Sequence, residues 1–119
     1  ALDIFPTLGS LAGINTDKLA LDGEDITGVV LGQKSLPQRE LFWQLGMHSE
    51  LERGNWTAVR IGRWKYLNNN LGEEMLFDLQ KDPYEKQSLF NSQPKIAKRL
   101  RSRRDELLLE FDRDADSKE

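Results

Sequence analysis

The sequence predicts an α+β fold in which a small four-stranded antiparallel sheet packs against a long C-terminal helix, with a short N-terminal helix and a connector ahead of it. Three observations carry this reading. Thr57, Val59 and Ile61 alternate with Ala58 and Arg60, the period of a half-buried strand, and Gly62-Arg63 then supplies a two-residue Gly-X loop into Trp64-Lys65-Tyr66-Leu67. Two more strand-like stretches, Arg39 to Gln44 and Met75 to Leu79, flank that hairpin and extend it to a meander. From Pro94 to Phe111 the residues Ile96, Ala97, Leu100, Leu107, Leu108 and Phe111 recur at helical spacing.

The elements follow in order. Asp3 to Gly13 reads as a helix with Ile4, Leu8, Leu11 and Ala12 on one face, Asp3 as its cap, Pro6 in the first turn and Gly13 at its end. Residues 14–38 are turn-rich and form a connector, with a helical turn expected over Ile26 to Leu31. The first strand is followed by a polar loop from Leu45 to Asn55 that holds the only histidine, His48. In the hairpin, a Gly62-Arg63 turn sets Ile61 against Trp64, Val59 against Tyr66 and Arg60 against Lys65. Two like charges then face each other, and Asp78 on the next strand is the expected counter-charge. Asp82-Pro83-Tyr84-Glu85 combines a capping residue, a proline one later and a glutamate three later, so a helical turn is expected there, and capping rather than metal binding accounts for both acids. The long helix carries its basic residues first and its acidic ones later, against the macrodipole, so packing must hold it. The domain reading is a helix and connector over residues 1–38, a sheet-and-helix subdomain over 39–113, and a flexible tail over 114–119.

Composition excludes several classes of function. A length of 119 residues with 38% hydrophobic content supports one core but no membrane-spanning segment, since the apolar runs are far shorter than the roughly 18 residues required. Neither a membrane partner nor a leader is expected. With no cysteine there is no disulfide, thiolate zinc site or cysteine nucleophile. A net charge of -3, and acids that follow the basic run from Lys95 to Arg104, argue for a solvated helix face rather than nucleic-acid binding.

With these residues in place, the chain resembles the C-terminal region of the sulfatase family, in the alkaline-phosphatase-like superfamily. The likeness is carried by Asp3-Ile4-Phe5-Pro6-Thr7 with Leu11-Ala12-Gly13 and Asp22-Gly23. It continues through Leu41-Phe42-Trp43, Ala58-Val59-Arg60, Gly62-Arg63-Trp64-Lys65, and Leu76-Phe77-Asp78-Leu79 with Asp82-Pro83 and Glu85. Relatives commonly have Trp-Glu-His after the first strand, whereas here Gln44 follows Trp43 and His48 lies farther out; Ser88 stands where the family often has asparagine. The resemblance implies that residues 1–38 form an edge of a catalytic domain. It also implies a parent enzyme with a calcium site and a formylglycine made from Cys or Ser in a Cys/Ser-x-Pro-x-Arg motif. This chain is read as lacking that nucleophile and metal site, so no catalytic or metal-binding residue is assigned.

Five residues are assigned to substrate binding. Trp43, His48 and Trp56 are expected at the rim of a pocket, because loops of this region in the family lie near the active-site mouth. Arg60 and Lys65 form a cationic pair suited to an anionic substrate. The expected partner is a sulfatase catalytic domain in cis, and the expected role is structural support and substrate entry, with no activity in this chain alone. The rival reading is a stand-alone interaction module that uses exposed apolar surface, including that of Ile4, Phe5, Leu8 and Leu11, to bind another chain or to form a homo-oligomer.

Overall fold

A computed structural model describes residues 2–36, 38–45 and 54–116. They fall into two compact units, Ala1–Pro37 and Gln38–Glu119.

The first unit contains α1 (Ile4–Leu11) and the single turn α2 (Thr27–Val30). Helix α1 ends as the sequence implies: Gly13 adopts φ 74°, Ile14 N–H donates to Gly9 O (2.8 Å) and Gly13 N–H to Ser10 O (3.0 Å), the paired bonds of a Schellman motif. Its start differs from expectation. Asp3 makes no side-chain cap; its Oδ1 accepts from Glu24 N–H instead (3.0 Å), binding the helix start to the following segment. Thr7 does the same from the buried side of the helix, accepting from Ile26 N–H through Oγ1 (3.1 Å). The face turned inward is therefore the one with Pro6 and Thr7, and Ile4, Phe5, Leu8 and Leu11 are all more than half exposed.

The second unit is an antiparallel meander, β1 (Glu40–Leu45), β2 (Trp56–Ile61), β3 (Trp64–Asn69) and β4 (Glu74–Asp78), in that spatial order, followed by helix α3 (Pro94–Asp116). The β2–β3 register is the expected one, with Val59 opposite Tyr66 and Arg60 opposite Lys65. Gly62 has φ 59° and Arg63 does not share a positive φ, the signature of a turn whose twist matches the flanking strands. Asn69 builds the next turn: its Oδ1 accepts from Leu71 N–H (3.0 Å) and Glu73 N–H (2.9 Å). The outer edge of β4 is covered, since Leu89 N–H donates to Leu76 O (2.7 Å) and Leu76 N–H to Ser88 Oγ (3.2 Å).

One face of the sheet packs on α3. Val59, Tyr66 and Leu76 form a row of cross-strand neighbours that meets Ala97 and Leu100, with Ile61, Trp64, Leu89, Phe90, Ile96 and Leu107 around them. Pro94 opens α3, where its missing N–H would have no intrahelical partner, and the helix continues to Asp116, past the Phe111 end read from apolar spacing. The expected helical turn at Asp82 is a single β-turn instead. Glu85 N–H closes it on Asp82 O (3.2 Å), and Glu85 itself takes φ 54°, which stops helical propagation.

The packing makes a direct prediction. Leu100→Ala, at a fully buried position, lowers unfolding free energy by about 2–5 kcal/mol, whereas Leu109→Ala, on the exposed side of the same helix, changes it by less than about 0.5 kcal/mol. Urea denaturation of the two variants measures the contrast.

Candidate functional site

Strand registers decide which side chains share a surface. Leu41, Arg60, Lys65 and Phe77 form one cross-strand row, Trp43, Ala58, Leu67 and Met75 a second, and Leu45, Trp56 and Asn69 a third. All three rows lie on the face of the sheet opposite α3, because Val59, Tyr66 and Leu76 occupy the alternate positions. Four of the five residues assigned from sequence, Trp43, Trp56, Arg60 and Lys65, are thus on one face. His48 lies outside the described residues. Trp43 is 46% and Leu45 73% exposed, while Ala58, beside Trp43, and Phe77, at the end of the cationic row, are buried. The surface therefore combines an aromatic and aliphatic floor with a cationic edge.

The cationic edge is organised differently from the sequence expectation. Asp78 is not the counter-charge of Arg60 and Lys65. It stands opposite Trp64, on the helix-side face, and its buried carboxylate pairs with Arg63 Nη2 (3.0 Å), whose guanidinium also lies over the Trp64 ring at 5.0 Å. The carboxylate that relieves Lys65 is Glu85: Lys65 Nζ donates to both of its oxygens, at 2.7 and 2.9 Å. Arg60 remains exposed and donates through Nε to Gly62 O (3.0 Å).

Glu85 reaches Lys65 because Asp82 shapes the turn before it. The Asp82 carboxylate accepts from Gln87 N–H (2.9 Å), and backbone hydrogen bonds of this kind from Gln87, Lys86 and Tyr84 hold its pKa below the ordinary value. Glu85 was legible only as a capping residue; no local signal names Lys65, twenty residues earlier, as its partner.

The other face contains a second polar group that sequence reasoning did not find. Tyr66 is fully buried, its hydroxyl donates to Glu74 Oε1, and Arg101 Nη2 donates to Glu74 Oε2. Burial alone would raise the Glu74 carboxyl, but the bonds from Tyr66 and Arg101 outweigh it and lower the pKa. Burial, followed by the Glu74 hydrogen bond, pushes the Tyr66 phenol up.

One correction comes from the sequence itself. Ser35-Leu36-Pro37-Gln38-Arg39 does have the Ser-x-Pro-x-Arg spacing, contrary to the reading of the chain as free of it. Ser35 is exposed in an irregular segment after α2, and the pentapeptide crosses the boundary between the two units at Pro37. A sulfate-ester nucleophile needs a cation beside it. Among the described residues no group of three or more His, Cys, Asp or Glu side chains is placed to hold a metal ion.

The meander with one long helix across it is an α+β arrangement shared with enzymes of the alkaline-phosphatase-like fold. Within that class the chain is a homologue of sulfatases, in the manner of their C-terminal region. It is 31% identical over 119 aligned positions to arylsulfatase A of Bos taurus, covering 82% of this chain and 23% of the relative. It is 34% identical over 87 positions to a choline-sulfatase of Rhizobium meliloti, covering 71% of this chain and 16% of the relative. A crystal structure from Bacteroides thetaiotaomicron assigned to the sulfatases superposes with a TM-score of 0.76 at 29% identity, over 98% of this chain and 26% of the other. No protein-family model matches. The chain thus spans about a quarter or less of the relatives it matches.

The Glu74 cluster gives a pH prediction with a definite sign. Because the folded pKa is depressed, its stabilisation is fully present above the ordinary value of 4.5 and is lost as pH falls through the lowered one. Glu74→Gln lowers stability at neutral pH and flattens the acid limb of the stability curve. An unchanged acid limb in thermal melts of the variant contradicts this assignment.

Proposed function

We propose that this chain is the C-terminal subdomain of a sulfatase polypeptide, that it supplies no nucleophile, and that the sheet face with Trp43, Trp56, Arg60 and Lys65 borders the substrate entrance. The observation that supports this reading is the convergence of those four residues on one face, in a chain homologous to sulfatases over part of their length. His48, in the β1–β2 connection, is assigned to the same rim. Aromatic surface suits the organic part of an ester, and Arg60 suits its charge; Lys65 is already neutralised by Glu85, so Arg60 carries the larger share. Calcium and formylglycine would belong to the remainder of the polypeptide and would supply the nucleophile and the polarisation of the sulfate. The catalytic domain is the partner in cis.

The interaction-module reading has one observation in its favour, the exposure of Ile4, Phe5, Leu8 and Leu11 along α1. The native polypeptide separates the two. An antibody raised against this chain detects a band several times larger on the subdomain reading, and a band of the chain's own size sinks it.

Activity tests the roles within that polypeptide. The purified 119-residue chain is expected to hydrolyse no aryl sulfate above a mock preparation. In the longer polypeptide Ser35→Ala leaves hydrolysis unchanged, while Trp43→Ala and Arg60→Gln raise KM several-fold, about 1 kcal/mol of binding each, with kcat little altered. Loss of turnover on Ser35→Ala, or hydrolysis by the chain alone, overturns the assignment of the nucleophile to another segment.

A further inference from the structure

We propose that the first two turns of α3 carry a docking stripe for a sulfated polysaccharide, formed by Lys95, Lys98 and Arg99. The structure divides the basic run of this helix into two sets. Arg101 pairs with Glu74, Arg103 with Glu40, Glu106 and Glu110, and Arg104 with Asp105. Lys95, Lys98 and Arg99 are exposed, and none of the three is ion-paired among the described residues. Their spacing of i, i+3 and i+4 puts them on one side of the helix, opposite the Ala97 and Leu100 side that meets the sheet.

This placement is locally unfavourable. Three cations at the positive end of a helix repel its dipole, and no acidic residue stands in the first turn to offset them. Their heads are therefore available to an external anion, while the set behind them is already ion-paired. A rigid row of like charges matches a polymer of opposite charge better than a single small anion, and it does so although the whole chain is net negative. The choice of a sulfated polysaccharide over other polyanions rests on the sulfatase reading above, since such a polymer presents the same esters to both surfaces.

The test uses the purified chain and fluorescently labelled dextran sulfate at low salt, with neutral dextran and single-stranded DNA as comparators. Binding to dextran sulfate is expected to weaken steeply with salt and to exceed that to DNA, with none to neutral dextran. The triple variant K95Q/K98Q/R99Q, checked for native helicity by circular dichroism, loses about tenfold or more in affinity and lowers the salt slope by about 2. Arg113→Gln, at the far end of the helix, changes neither. Absence of binding, equal binding by the triple variant, or tighter binding to DNA overturns the proposal. Hydrolysis of a small aryl sulfate by the longer polypeptide is measured in parallel: binding without hydrolysis removes the sulfatase reading alone, and hydrolysis without binding removes the docking stripe alone.

Discussion

Everything in the second unit depends on how Tyr66 is buried. Its ring sits between Val59 and Leu76 with no solvent exposure, and a phenol that is cut off from water must find a hydrogen-bond partner within the protein. The β3–β4 register supplies Glu74, and a carboxylate brought under a helix needs a cation in turn. Arg101 provides it, one residue beyond the buried Leu100, and its guanidinium lies 5.5 Å from the centre of the Phe90 ring. The Phe90 ring in turn lies 6.5 Å from that of Tyr66, tilted by 31°. The apolar contacts would tolerate some sliding of α3 along the sheet; this chain of polar requirements would not. A second tie, from Arg103 to Glu40 at 2.8 Å, joins the same helix to the opposite edge strand.

Once α3 occupies one face, the other face is free to differ from it. That face tolerates Arg60 opposite Lys65 because Glu85 is swung in from outside the sheet. The arrangement uses a left-handed backbone at a glutamate, a conformation that costs on the order of 1 kcal/mol outside glycine, and a pair of short bonds to a half-buried ammonium offsets it. The Asp82 turn is the element that makes this reach available. Its acids are structural, as capping chemistry implies, although they build a turn rather than a helix.

Legibility in the sequence followed the range of the interactions. The Gly62-Arg63 hairpin was readable down to its residue pairs, because strand alternation and turn type are fixed within a dozen residues. The placement of Trp43, Trp56, Arg60 and Lys65 on one face follows from the same alternation once β1 is added. Asp78 was misassigned for want of carrying that alternation one strand further: opposite Trp64 it can only share the face of Trp64. The Asp-Pro-x-Glu pattern at Asp82 is common to helix starts and to turns, and the φ of Glu85 that separates them depends on Lys65, a distant residue. Ser35-Leu36-Pro37-Gln38-Arg39 shows a different error, a spacing fully legible in the letters that was passed over.

Helix α3 shows why a charge order that looks wrong locally is stable. Each misplaced cation at its start opposes folding by about 0.3–1 kcal/mol at low ionic strength, and less when exposed and screened. Burying Leu100 alone contributes about 1.5–3 kcal/mol, and Ala97, Ile96 and Leu107 add to it. Packing therefore exceeds the dipole penalty by a margin that leaves the outer side of the helix free to vary. A surface helix whose inner side fixes its position can carry charges on its outer side that local electrostatics disfavours.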